Sequence, residues 1–79
     1  MTEAGEEVLV DARGHHCPVP TLRLRRALEG AGDQVVRLIA DDPMARIDVP
    51  NFVREAGAEL LEASEAAGVL TFRVRRAQA

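Results

Sequence analysis

The order of apolar patterns along the chain predicts a two-layer α/β (α+β) sandwich. Its elements run β-α-β-α-β-β, giving a four-stranded mixed sheet with two helices on one face. Three observations predict it. Leu70, Phe72 and Val74 alternate with Thr71, Arg73 and Arg75, as in a strand with one buried face. Pro20, Leu24, Ala27 and Leu28 recur at the spacing of one helix face. The β-branched, apolar run over residues 34–40, QVVRLIA, reads as a central strand.

The elements follow in order. Residues 1–6 read as a loose acidic leader, and residues 7–77 as one domain. Val8-Leu9-Val10 is a short strand running into the turn formers Asp11 and Gly14. The first helix begins at Cys17, with Pro18 and Pro20 in its first turn, where a preset φ is welcome and the amide is not needed. Gly30 and Gly32 bracket its end. After the 34–40 strand, Asp41-Asp42-Pro43 is a stop. The second helix is placed from Asp48 as N-cap, because a start at Pro43 would put Pro50 in the interior at a cost of roughly 3 kcal/mol. Val49, Phe52, Val53 and Ala56 then form its apolar stripe, Gly57 ends it, and residues 43–47 are a loop or a single turn. Residues 58–64 and 69–76 make an antiparallel hairpin turning over 65–68.

Composition narrows the function. The chain has 79 residues, 47% of them hydrophobic, so it builds one small core and no deep cavity. All 10 basic residues are arginine, which removes lysine Schiff-base chemistry. A formal net charge of −3 argues against direct nucleic-acid binding. No stretch approaches the ~20 apolar residues that span a bilayer, so no membrane association is expected. The acidic opening MTEAGEE does not read as a targeting signal. A single unpaired cysteine with no such signal points to the cytoplasm.

That cysteine lies in DARGHHCPVP, residues 11–20. Lone cysteines are commonly buried and inert. Two histidines before Cys17 and two prolines after it make an apolar burial site a poor fit and a reactive thiol the better reading. The effect of the helix start is modest. A free thiol titrates near ~8.5. An exposed helix N-terminus contributes about 0.3–1 kcal/mol, less than one pKa unit at ~1.36 kcal/mol per unit. Arg13 adds to this if it folds back towards the sulfur. A moderately activated thiol suits reversible exchange better than hydrolysis. Adjacent His15 and His16 lack the separation of zinc ligands and no second ligand pair follows, so neither a metal nor an organic cofactor is expected.

The run D-x-x-G-x-x-C-P-x-P, Asp11 to Pro20, resembles the signature of the TusA/SirA-like sulfur-carrier (sulfurtransferase) family. So do Ala40-Asp41-Asp42-Pro43 and Asp48-Val49-Pro50-Asn51-Phe52, and the similarity spans roughly residues 8–76. The resemblance implies the same β-α-β-α-β-β sandwich. It also implies that Cys17 accepts sulfane sulfur as a persulfide from a donor protein such as a cysteine desulfurase and passes it to an acceptor protein. The pathway would be tRNA thiolation, molybdenum-cofactor synthesis or sulfur oxidation. His15 stands where the family commonly has leucine, and this bears on which partner docks. Around the thiol, Arg13, His16, Val19, Leu22, Arg25 and Asp42 are the candidate partner contacts. Two other classes stay open. One is a non-catalytic interaction or regulatory module, since the layered order also resembles an RNA-binding domain of a translation initiation factor. The other is a one-cysteine redox sensor.

Overall fold

Alternation and helical stripes close into one core between a sheet and two helices. The computed structural model describes residues 7–16 and 19–76. Its elements are β1 (Glu7–Asp11), α1 (Val19–Ala31), β2 (Val35–Ala40), α2 (Ala45–Ala56), β3 (Glu59–Ala66) and β4 (Val69–Arg75). The four strands form one sheet in the order β1-β2-β4-β3. β1 runs parallel to β2, with Asp11 opposite Ile39, and β4 is antiparallel to both β2 and β3. The predicted fold class and element order are those observed.

The core lies between the helices and one face of the sheet. Val10, Val36, Leu38, Leu70, Phe72 and Val74 point into it from the strands, and Leu24, Leu28, Val49, Phe52 and Val53 from the helices. Pro20 is also fully buried, so the proline in the first turn of α1 packs as well as fixing the backbone. The opposite face of the sheet is open and carries a cross-strand ion-pair network. Arg73 reaches Glu7 and Glu62, Arg37 reaches Glu7, and Arg75 reaches Glu59. Glu7 is thus part of the sheet, tied to a residue 66 positions away. No helix among the described residues is long and apolar enough to cross a membrane.

The second helix departs from the sequence expectation. It starts at Ala45, not Asp48, and contains Pro50. The start is organised by Asp42, whose Oδ1 accepts from the Met44 amide at 3.0 Å while its carbonyl accepts from Ala45 at 2.9 Å. Asp42-Pro43 is therefore a helix-entry pair as well as a strand stop. The earlier start buries Ala45 completely, one turn before the equally buried Val49. The proline deprives the Arg46 carbonyl of its usual donor, and Arg46 is an exposed residue. At the other end Gly57 N–H bonds to the Arg54 carbonyl and Ala58 N–H to that of Val53, a Schellman closure.

The hairpin turn is also tighter than expected. Strand pairing continues to Ala66 opposite Val69, leaving only Ala67 and Gly68, at φ +51° and +80°. Two successive positive φ values are the mark of a type I′ turn. An L-residue in this region costs roughly 1–2 kcal/mol. Glycine avoids that cost but gives back about 0.5–1 kcal/mol in unfolded-chain entropy. Ala67→Gly should therefore stabilise the domain by up to about 1 kcal/mol, raising the thermal midpoint by several degrees in a chain this size. A midpoint that falls would show that Ala67 is not strained. β3 itself is exposed along its length, and its pairing shifts between Leu60 and Glu62, leaving Leu61 as a bulge on the sheet edge.

Candidate functional site: the rim at the helix starts

Because β1 and β2 are parallel neighbours, their C-terminal ends share one rim of the sheet. The loop that carries the cysteine motif leaves β1 there, and the Asp41-Asp42-Pro43 loop leaves β2 beside it. Cys17 and Pro18 lie outside the described residues. The residues leading to them are held closely.

Ala12 is completely buried, and its N–H donates to the Ile39 carbonyl at 2.8 Å, extending the parallel ladder past Asp11. The His15 amide then returns to the Ala12 carbonyl at 3.2 Å. Gly14 occupies the third position of that turn with φ +85°, as a type II turn requires. A Cβ there would meet nothing within 4 Å, so glycine is needed for its backbone and not for space. The Gly14 N–H points at the Asp41 carboxylate, 3.0 and 3.2 Å from its two oxygens. On the far side of the cysteine, Val19 N–H donates to the His16 carbonyl at 2.9 Å.

Asp11 and its neighbours make a second anchor. Arg13 grips the Asp11 carboxylate through Nε at 2.9 Å and Nη2 at 2.8 Å, and through its own amide. The hydrogen bonds from Arg13, side chain first, pull the Asp11 pKa down to about 2. The clip therefore stays ionised at every pH well above that value. Arg23, on α1, donates Nη1 to the Asp11 carbonyl at 2.7 Å and so ties the helix to the end of β1. Arg13 is thus directed to Asp11, which offsets the charge it was expected to lend to the thiol.

The remaining candidate contacts fall in three places. His16 is at the rim with its side chain 93% exposed, Nδ1 3.8 Å from Asp42 Oδ2, a pair that attracts only when the imidazole is protonated. Asp42 is mostly covered and serves the start of α2. Val19 and Leu22 are exposed on the first turns of α1, so Leu22 does not pack beneath α2. Arg25 belongs elsewhere. Its guanidinium lies over the Phe52 ring, 5.8 Å from the centroid, in a groove of about 470 Å³ with Leu28, Glu29, Glu55 and Arg76. That groove runs between the later turns of the two helices, whereas the rim lies at their starts.

Sequence reasoning missed Asp41 and Arg23 as loop anchors, and Met44 and Ile47 as exposed apolar residues at the start of α2. The Asp41-Asp42 doublet was a visible signal. Nothing local distinguishes the acid that holds the turn into the next helix from the one that reaches a different loop. Among the described residues no group of three His, Cys, Asp or Glu is placed to hold a metal ion.

Comparison with known proteins gives concordant results. A family model described as "Sulfurtransferase TusA" matches residues 8–76. The chain is 34% identical over 77 residues to the sulfur carrier protein TusA of Pseudomonas putida, covering 96% of each chain. It is 35% identical over 68 residues to the sulfur carrier protein TusA of Allochromatium vinosum, covering 85% of this chain and 90% of that one. Among solved structures, the crystal structure of a SirA-like protein from Desulfitobacterium hafniense superposes with a TM-score of 0.71 at 27% identity, over 90% of this chain and 99% of that one.

Proposed function

From the premise that this chain belongs to the TusA family of sulfur-carrier sulfurtransferases, we propose that Cys17 is the carrying residue and that it holds sulfur as a persulfide. The carrier unit is the domain over residues 7–77, with residues 1–6 as its leader. The Cys17 thiolate attacks the outer sulfur of a donor protein's persulfide. A new S–S bond forms on Cys17, the donor's S–S bond breaks, and the electron pair leaves on the donor cysteine as thiolate. The outer sulfur keeps its proton, so atoms and charge balance and no external oxidant is needed. The second transfer repeats the step with an acceptor thiol attacking the Cys17 persulfide. The chain has no other cysteine, so no internal thiol can discharge the persulfide as sulfide.

The observation that carries this reading is the anchored approach to the motif. The turn over residues 12–15 is tied to β2 and to Asp41, and a carrier needs its thiol on a rigid, exposed mount rather than in a pocket. Pro18 and Pro20 serve as the helix-start device. Val19, Leu22 and His16, exposed on either side of the cysteine in the chain, form the face that meets partners, with His15 adjusting which partner fits. The donor is a cysteine desulfurase or a protein of like chemistry. The compartment is the cytoplasm, where a free thiol stays reduced. Thiolation of tRNA, molybdenum-cofactor synthesis and sulfur oxidation would all use the same exchange, and the choice among them lies in the partner's surface.

The test is the mass of the intact protein after incubation with a cysteine desulfurase and cysteine. The expected result is the gain of one sulfur atom at Cys17, removed again by a reductant. Gain of oxygen with peroxide, and of no sulfur from the desulfurase, would make the chain a redox sensor. Gain of neither would leave it an interaction module.

A further inference from the structure

We propose that Asp41 is the positioning residue of the sulfur-transfer loop. Through the Gly14 amide it holds the loop so that the thiol meets a protein donor in one orientation. The inference rests on the carrier reading above.

The ties along the loop differ in kind. Arg13 to Asp11, His15 to Ala12 and Val19 to His16 are local, spanning two or three residues. They shape the loop without fixing it to the body of the protein. Arg23 ties the Asp11 carbonyl, at the end of β1, to α1, and two ties within the loop itself reach another element before the cysteine. One is the backbone bond from Ala12 to Ile39. The other is Gly14 to Asp41, across 27 positions, and it is the last hydrogen bond to another element before Cys17 among those the structure describes. The His16–Asp42 approach is longer and depends on protonation.

Asp41 is well placed to anchor. It follows directly on Ala40, which is completely buried at the end of the central strand β2. Its two oxygens share one N–H, a charge-assisted bond that is stronger than one between neutral groups. The residue is exposed and contributes nothing to the core, so its removal loosens the loop without emptying the interior. Transfer between two proteins needs the reacting sulfurs aligned within a docked complex, where small misplacements are costly. A small inorganic polysulfide can approach a loosened thiol from many directions.

The experiment compares wild type, Asp41→Ala and Asp41→Asn, each loaded from a cysteine desulfurase persulfide and from inorganic polysulfide. Asparagine keeps an acceptor oxygen for Gly14 and removes the charge. Alanine removes both. Asp41→Ala should lower kcat/KM with the protein donor by about tenfold or more while polysulfide loading stays within about twofold. Asp41→Asn should restore most of the protein-donor rate. Equal rates for Asp41→Ala and wild type with both donors would overturn the proposal. So would equal slowing with both donors, since Asp41 would then act on the thiol or the fold. An asparagine variant as slow as alanine would assign the effect to charge and overturn the hydrogen-bond role. A wild type that gains no sulfur from either donor would overturn the carrier reading, and the proposal with it, by a different result.

Discussion

Cys17→Ser is expected to abolish sulfur acceptance completely and to leave the fold intact. The reaction needs a nucleophile that is partly ionised near neutral pH and can form an S–S bond. A thiol has a few per cent thiolate there, and a serine hydroxyl has neither property. No second cysteine exists to take over the role. Serine differs from cysteine by a single atom, so the expected change in stability is within about 0.5 kcal/mol. The decisive measurement pairs the intact mass after desulfurase treatment with the urea midpoint. An unchanged midpoint with no sulfur gained is the expected outcome. A serine variant that still takes up sulfur would sink the assignment of Cys17.

Leu38→Ala should have the largest effect on stability. Leu38 is completely buried in the central strand β2, opposite Phe72 of β4, within the core between the sheet and the helices. Truncating a buried leucine costs about 2–5 kcal/mol, part for lost transfer energy and part for the cavity. A domain of this size has only ~3–5 kcal/mol of net stability to lose. With a urea dependence of about 1 kcal/mol per molar, the midpoint should fall by roughly 2 M or more, and at the upper end the variant is unfolded in water. Leu9→Ala is the matched control. Leu9 is in the neighbouring strand but 59% exposed on the open face, so its midpoint should barely move. Equal losses at both positions would mean that the helices do not cover the face assigned to them.

Legibility followed the range of the physics involved. The burial of Leu70, Phe72 and Val74 was readable because a strand turns alternate side chains to opposite faces whatever lies around it. The Pro20–Leu24–Leu28 stripe was readable for the same kind of reason at the helical period. The motif with the cysteine was readable because proline and glycine restrict their own backbone. The start of α2 was misread where local and tertiary preferences conflict. Local propensity disfavours a proline inside a helix, and the burial of Ala45 together with the turn that Asp42 holds ahead of the helix outweighs it.

Taken by itself, then, the sequence determined the element order, the core faces and the place of the single cysteine in the chain. Each of these depends on periodicity, on backbone restriction or on which residue types are present at all. Tertiary structure decided which charges meet. Asp41 with Gly14, Arg23 with the Asp11 carbonyl, and Glu7 with Arg73 are joined across loops and strands by the parallel pairing of β1 with β2 and the insertion of β4 next to β2. A long charged side chain has no periodicity that names its partner. Its partner is whatever the sheet register and the shared rim bring within reach, and those exist only once the chain has folded.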